Sequence, residues 1–471
     1  MNATATNSFV SAVLKTPVLT RTENDMKAQK STMSAIVDLF YVVGSSRGKN
    51  LAPQFERAFQ EDEDLALRIA LWARDARGGA GEREVFRFLL LHLEWTRPDF
   101  LLTSKFLAKV PELGRWDDLL VFTNPEVKAK AYGLIRDALL AGNGLCAKWM
   151  DRRDWELRKF MGLSPKAYRK LLVNLSNTVE QKLCAREFDQ INYAHVPSLA
   201  MSRYMKSFSK NDAARFVAYR ESLKKGETKI NAKGVYPYDI IKALRAGGDA
   251  AVCDAQWDAL PDYMDDTNVL PMIDVSGSMS CAVGGNANLS CLDVALSLGL
   301  YTSGKNKGAF KDLYLTFSQD TTLERVTGTL SQRMTQMSHA DWDMNTNLHR
   351  AFNKILDLAV MSKIPECDMP QVMLILSDME FDCCREHDDS AMEMIERKYA
   401  AAGYKVPMIV FWNISDGRGK TVPVSFDKKG VALVSGFSPA IMKAVLAADF
   451  DDLSPESIVR DAVAIPRYDY A

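Results

Sequence analysis

The sequence is poor in the residues that transition-metal and disulfide chemistry need. Its five histidines are scattered without zinc spacing, and its eight cysteines contain no Cys-x-x-Cys pair. Two of the cysteines are adjacent (Cys383, Cys384), and the set reads as reduced thiols, so a cytoplasmic location is expected. No apolar run approaches a membrane span, and residues 1–20 lack the apolar core of a signal peptide, so no membrane partner is expected. A phosphate-binding loop is missing too. Gly78-Gly79-Ala80-Gly81 follows a helical pattern and lacks the Gly-Lys-Ser/Thr ending, so it reads as a turn between helices. With no nucleophile elbow between a strand and a helix, and no His/carboxylate constellation for a general base, an enzyme is not expected.

What is present is an ordinary globular composition. The chain has 471 residues, 47% hydrophobic and 25% charged, enough for two or three domains. Residues 1–30 are polar and poorly patterned, and read as a flexible N-terminal arm. Apolar residues then recur at helical spacing between Gly/Pro breaks. The pattern predicts helices over 33–43, 54–60, 65–76, 82–95, 100–109, 116–122 and 127–140, with Pro98 and Pro111 as stops. Trp72, Trp95 and Trp116 read as helix-packing residues. With no strand pattern before about residue 265, residues 31–265 form an all-α, helical-repeat (HEAT-like) module without a sharp period.

Net charge is −1, but it is unevenly spread. Between residues 148 and 245 there are 21 Lys and Arg against 10 Asp and Glu, a local excess of 11 that leaves −12 for the remainder. Within this block Lys148, Arg152 and Arg153 interleave with Trp149 and Trp155. Ser164 then caps a helix with Pro165 at its first position, placing Lys166, Arg169 and Lys170 on one face. Arg203 and Lys206 continue the block. A helix start with clustered cations can hold phosphates through its N–H groups and its side chains. A solvated cationic face without a ligand fits the same charges.

The last 200 residues change character. Strand patterns at 269–274, 313–317, 372–377, 406–412 and 431–434 alternate with helical segments, which predicts a doubly wound α/β domain over 266–471. Asp274-Val275-Ser276-Gly277-Ser278 ends the first strand with one carboxylate and two hydroxyls, an oxygen nest suited to Mg²⁺ or Mn²⁺. A plain strand-to-helix turn with a serine cap gives the same letters. Thr346, ahead of a second helix, offers another hydroxyl. The strand 372–377 ends in Asp378, and Asp274 and Asp378 can share the crevice at the carboxyl ends of the strands.

This set resembles the metal-ion-dependent adhesion site of von Willebrand factor A domains, in which Asp274, Ser276, Ser278, Thr346 and Asp378 would be the metal ligands. The glycines usual before the threonine are Met344 and Asn345 here. The whole chain resembles the Ro architecture, a TROVE module followed by a von Willebrand factor A (Rossmann-like) domain. It is most similar to uncharacterised Ro-like proteins of plants, bacteria and their viruses. That similarity is carried by Ala70-Leu71-Trp72-Ala73-Arg74-Asp75-Ala76-Arg77-Gly78-Gly79, Gly114-Arg115-Trp116-Asp117-Asp118-Leu119, Val196-Pro197-Ser198 and Ser377-Asp378-Met379-Glu380-Phe381-Asp382. The resemblance implies a monomeric ring that holds small structured RNA, or RNA with a single-stranded end, in a quality-control or scaffold role. Its RNA-binding residues would be Lys148, Arg152, Arg153, Lys166, Arg169, Lys170, Arg203 and Lys206. The alternative is a metal-dependent scaffold that captures an acidic protein partner.

Overall fold

Ser34 opens the helical half by accepting the Val37 N–H on its hydroxyl, capping α1 (Ala35–Val43). The computed structural model describes residues 18–232, 234–264, 266–283, 286–317, 323–338, 347–382, 391–415, 421–447 and 452–471. After α1 come α2 (Ala52–Glu61), α3 (Glu63–Arg74), α4 (Arg83–Thr96), α5 (Pro98–Thr103), α6 (Phe106–Leu113) and α7 (Pro125–Leu140). Then follow α8 (Gly144–Trp149), α9 (Trp155–Phe160), α10 (Pro165–Ser176), α11 (Val179–Ala185), α12 (Ser198–Asn211), α13 (Ala213–Lys224), α14 (Pro237–Arg245) and α15 (Ala250–Asp258). Short side chains cap many of them: Asp62, Asn124, Asn143, Asp154, Ser164 and Asp249 each accept a backbone N–H from the first turn.

Three local expectations are corrected. Pro98 starts α5 instead of stopping the chain, because a missing N–H costs nothing at the first helical position. The helix expected over 100–109 is accordingly two helices, and Pro111 lies inside the second. Trp95 is 84% exposed, since it lies opposite the Val85, Leu89 and Leu93 stripe that α4 buries. Trp72 is buried and Trp116 packs against the core as expected. Gly44-Ser45-Ser46-Arg47-Gly48 spells Gly-x-Ser-x-Gly, but it ends α1 instead of a strand and so forms no elbow.

Residues 18–30, placed by sequence in a loose arm, are docked. β1 (Leu19–Arg21) and β2 (Lys27–Gln29) form an antiparallel hairpin. Gln29 exchanges backbone bonds with Val422 (2.9 and 2.8 Å), and the Thr22 hydroxyl donates to the Phe381 carbonyl (2.7 Å).

The second half is built on a six-stranded sheet. β3 (Val269–Ile273) leads to a small hairpin, β4 (Ala282–Val283) and β5 (Asn286–Ser290), then to α16 (Cys291–Lys305). β6 (Leu313–Thr316), β7 (Leu323–Arg325), α17 (Leu330–Ser338) and α18 (Leu348–Ser362) follow. The chain continues as β8 (Val372–Ser377), α19 (Ala391–Ala402), β9 (Met408–Asn413), β10 (Val431–Ser435), α20 (Ile441–Leu446) and α21 (Pro455–Val463). Strand order is β10-β9-β8-β3-β6-β7, all parallel except the antiparallel edge β7. β3, β8, β9 and β10 are buried throughout, as strands covered on both faces must be. Pro271 is tolerated in the central strand because pairing to β6 begins only at Met272.

The winding reverses between β3 and β8. From β3 the chain moves to β6 and β7; from β8 it moves the other way to β9 and β10. Such a reversal opens a crevice beyond the carboxyl ends of the two strands.

The helical half closes onto this sheet from both of its ends. α1 packs on β10, and Gly44 must be glycine there because a Cβ would stand 2.2 Å from the Ser435 carbonyl oxygen. α14 packs on α16, and Arg47 lies over the Phe437 ring (4.5 Å). The buried apolar side chains form one continuous core from Met26 to Tyr468.

Candidate functional site

The crevice holds the acidic and hydroxyl groups. Asp274 follows β3 and Asp378 follows β8, in strands whose register pairs Ile273 with Leu376. Asp274 is fully buried. Its Oδ1 accepts the Ser276 N–H (3.0 Å), and its Oδ2 accepts the Ser377 hydroxyl (2.6 Å). The Ser276 and Ser278 hydroxyl oxygens stand 3.0 Å apart. Burial pushes the Asp274 carboxyl up to about 6, the neighbouring Asp378 adds to the rise, and the Ser377 and Ser276 donors oppose it.

These residues fit a small hard cation. Two oxygens on adjacent corners of an octahedral Mg²⁺ site, each about 2.1 Å from the ion, stand about 3.0 Å apart. That is the Ser276–Ser278 spacing. Two carboxylates that oppose each other's charge in a buried crevice are the groups a divalent ion would relieve. Among the described residues no three His, Cys, Asp or Glu side chains gather to hold an ion by themselves, so the donor set depends on the hydroxyls. Thr346, with Met344 and Asn345, lies outside the described residues.

Two further residues belong to this crevice. Ser377, the last residue of β8, holds Asp274 and also accepts the Met379 N–H (3.0 Å). Met379 then takes a φ of +70°, a left-handed backbone that L side chains rarely adopt. That turn delivers Glu380, buried, to the backbone N–H of Glu23 (2.6 Å). Burial raises the Glu380 carboxyl above its ordinary value. A hydroxyl closing a buried strand was visible in the sequence; its aim at Asp274 was not.

The cations expected to bind RNA fall into two groups. α8 and α9 pack on α10, which brings Lys148, Arg152, Arg153, Lys166, Arg169 and Lys170 to one region. Lys148 is half-buried with its ammonium 5.6 Å from the Trp149 ring, on which Arg115 also stacks (3.3 Å). Arg152, Arg153, Lys166, Arg169 and Lys170 are exposed. Arg153 approaches Asp151 (3.5 Å), whereas Arg152, Lys166, Arg169 and Lys170 form no ion pair among the described residues. Arg203 and Lys206 stand on α12, which packs on α13 and α14, and Lys206 donates to the Ala246 carbonyl (3.0 Å). Beside the first group Trp155 is 60% exposed, a flat ring that the candidate residues omitted.

The motifs that carry the sequence resemblance serve as structural joints. Arg74 and Arg87 both pair with the buried Asp118 (2.7 and 2.8 Å). Asp75 pairs with Arg467 near the end of the chain and accepts the Tyr468 hydroxyl (3.0 Å). Gly79 lies so close to the Trp72 carbonyl that a Cβ would stand 2.0 Å from its oxygen.

Two family descriptions match this chain. A domain of unknown function (DUF7788) covers residues 268–463, and a domain of unknown function (DUF2828) covers residues 22–111 and 156–270. The chain is 27% identical over 500 residues to an uncharacterized protein of Acanthamoeba polyphaga mimivirus, a match that covers 93% of this chain and 86% of that one. Among solved structures, the Ro (RSR) protein of Deinococcus radiodurans matches with a TM-score of 0.42 and 16% identity, covering 92% of this chain and 100% of that one. No helix among the described residues is long and apolar enough to cross a membrane.

Proposed function

We propose that this chain is a non-catalytic, Ro-like RNA-binding protein of the cytoplasm. In this reading a HEAT-like helical array, closed by a von Willebrand factor A-like domain, holds small structured RNA or RNA with a single-stranded end. The observation that carries it is the start of α10. There Lys166, Arg169 and Lys170 crowd a capped helix N-terminus, exposed and without ion pairs among the described residues. Several arginines elsewhere in the helical half are neutralised, as in Arg47–Glu82, Arg74–Asp118 and Arg97–Glu56. Cations left without ion pairs at the positive end of a helix suit phosphate oxygens. The exposed Trp155 ring offers a surface on which an unpaired base can stack.

A Mg²⁺ or Mn²⁺ ion would be held by Ser276, Ser278 and Thr346, with Asp274 and Asp378 bound directly or through water. It would supply positive charge and one position for an acceptor oxygen. Ser377 orients Asp274 for that role. Glu380, whose carboxylate accepts the Glu23 N–H, holds the N-terminal segment instead.

The test is anisotropy titration of a labelled structured RNA with a single-stranded 3′ end, over a series of salt concentrations with and without chelator. Replacing Lys166, Arg169 and Lys170 with Ala is expected to flatten the log–log salt slope by about 2 to 3, at roughly 0.7–0.9 per lost phosphate contact. Wild-type affinity and slope in that variant would refute the assignment of the face. Absence of RNA binding at low salt, together with metal-dependent capture of an acidic peptide lost on Asp274→Ala, would instead establish the protein scaffold.

A further inference from the structure

Cys281 and Cys291 bring two thiols together where the Ser276–Ser278 loop runs into α16. Cys281 directly follows the turn Gly277–Ser280, and Cys291 is the first residue of α16. They face each other across the β4–β5 pair. Ala282 pairs with Ser290, so Cys281 and Cys291 are opposed one step further out, and the Cys291 N–H donates to the Cys281 carbonyl (3.0 Å). Opposed residues that share a backbone bond in an antiparallel pair hold their Cα atoms about 5.5 Å apart, within the span a disulfide bridges. The sulfurs are 3.3 Å apart. The other described cysteines differ: Cys146 and Cys253 are buried, with burial pushing each thiol up to about 12, and Cys184 and Cys367 are exposed.

We propose that Cys281 and Cys291 form a redox-active dithiol, a modification site that a low-molecular-weight disulfide converts into an intramolecular bridge. Cys281 is half-exposed and reacts first. Its thiolate attacks one sulfur of the small disulfide; a bond forms from Cys281 Sγ to that sulfur, the original S–S bond breaks, and one thiolate leaves and takes up a proton. Cys291, buried with its Sγ 3.7 Å from the Ile414 carbonyl, then gives up its proton and attacks Cys281 Sγ. The second small thiol leaves with that proton. The two cysteines lose two electrons in all, and the small disulfide is reduced to two thiols. The product staples the end of the Gly277–Ser280 turn to the first turn of α16, and a reducing thiol reverses it.

The experiment uses the reduced full chain, oxidised glutathione as the probe, alkylation of the remaining thiols, and peptide mapping by mass spectrometry. The expected result is a bridge between Cys281 and Cys291 that dithiothreitol removes. In Cys291→Ser glutathione is expected to remain on Cys281, because the resolving thiol is gone. In Cys281→Ser, Cys291 is expected to take up no glutathione until the protein is unfolded. Three results would overturn the proposal. They are both thiols staying reduced while Cys184 or Cys367 is glutathionylated, a bridge from either residue to another cysteine, and a persistent glutathione adduct on Cys281 in the unaltered protein.

Discussion

Asp274 is a carboxylate where a carboxylate is costly. It is fully buried, next to Asp378, and among the described residues its charge is offset by donors from Ser276 and Ser377 and by no cation. Asp274→Asn keeps the shape and removes the charge. The variant is expected to melt higher than the unaltered protein in chelator, and to lose the stabilisation that Mg²⁺ or Mn²⁺ gives. At a metal concentration of 100 Kd that stabilisation is about 2.7 kcal/mol. Thermal unfolding against a Mn²⁺ series measures both effects, and a variant with the unaltered metal response would remove Asp274 from the donor set. Asp118 is the contrasting case, a buried carboxylate already held by two guanidinium groups. Asp118→Asn takes from Arg74 its ion-pair partner in a buried site and is expected to cost about 3–5 kcal/mol in urea unfolding. Breaking the exposed i,i+4 pair Arg460–Glu456 should cost only about 0.3–0.5 kcal/mol.

At the scale of the element, the helices around α10 separate binding from stability. Trp155 opens α9 with its ring largely in solvent, while Leu157 two residues on is buried. Trp155→Ala is therefore expected to leave the melting temperature unchanged and to cost about 1–3 kcal/mol in affinity for an unpaired RNA segment. A loss of stability without a loss of affinity would make the ring a packing residue. The same elements show which features sequence exposes. α3, α4 and α7 were readable because their apolar residues recur at the helical period and a short polar or proline residue marks several of the starts. β3, β6, β8, β9 and β10 were readable as buried runs, and Asp274 and Asp378 as neighbours because adjacent parallel strands end there. β1 and β2 were not, because Leu19–Arg21 and Lys27–Gln29 dock through backbone bonds that leave no apolar period. The Glu380–Glu23 bond joins residues 357 apart, and no local pattern records such a contact.

At the scale of the whole molecule, the first and the last described segments are fastened to the opposite half. Thr22, Glu23 and Asn24 bond to residues 380 and 381 beside the crevice, while Arg467, Tyr468 and Tyr470 return to Asp75, Gly78 and Asp64 in the first helices. The joint at Asp75 sets a pH dependence whose sign follows from its partners. Burial works against its charge, yet the Arg467 guanidinium and the backbone N–H groups of Arg77 and Gly78 outweigh it and hold the carboxyl below its ordinary value. A depressed carboxylate stabilises the fold at pH values above its unfolded pKa, near 3.9, and gives that contribution up as pH falls through the lower folded value. Residues 466–471 should therefore stay protected from hydrogen exchange at pH 5 and open only in stronger acid. Arg467→Ala removes the dominant donor and leaves burial in command, so the Asp75 contribution reverses. The tail is then expected to loosen at pH 7 by about 1–3 kcal/mol and to regain protection as Asp75 takes up a proton on mild acidification. Hydrogen exchange of residues 466–471 at pH 7 and pH 5 reads both signs at once. Equal protection in the variant and the unaltered protein at pH 7 would show that the ring contacts of Tyr470 with Phe100 and Phe106 hold the tail without the ion pair.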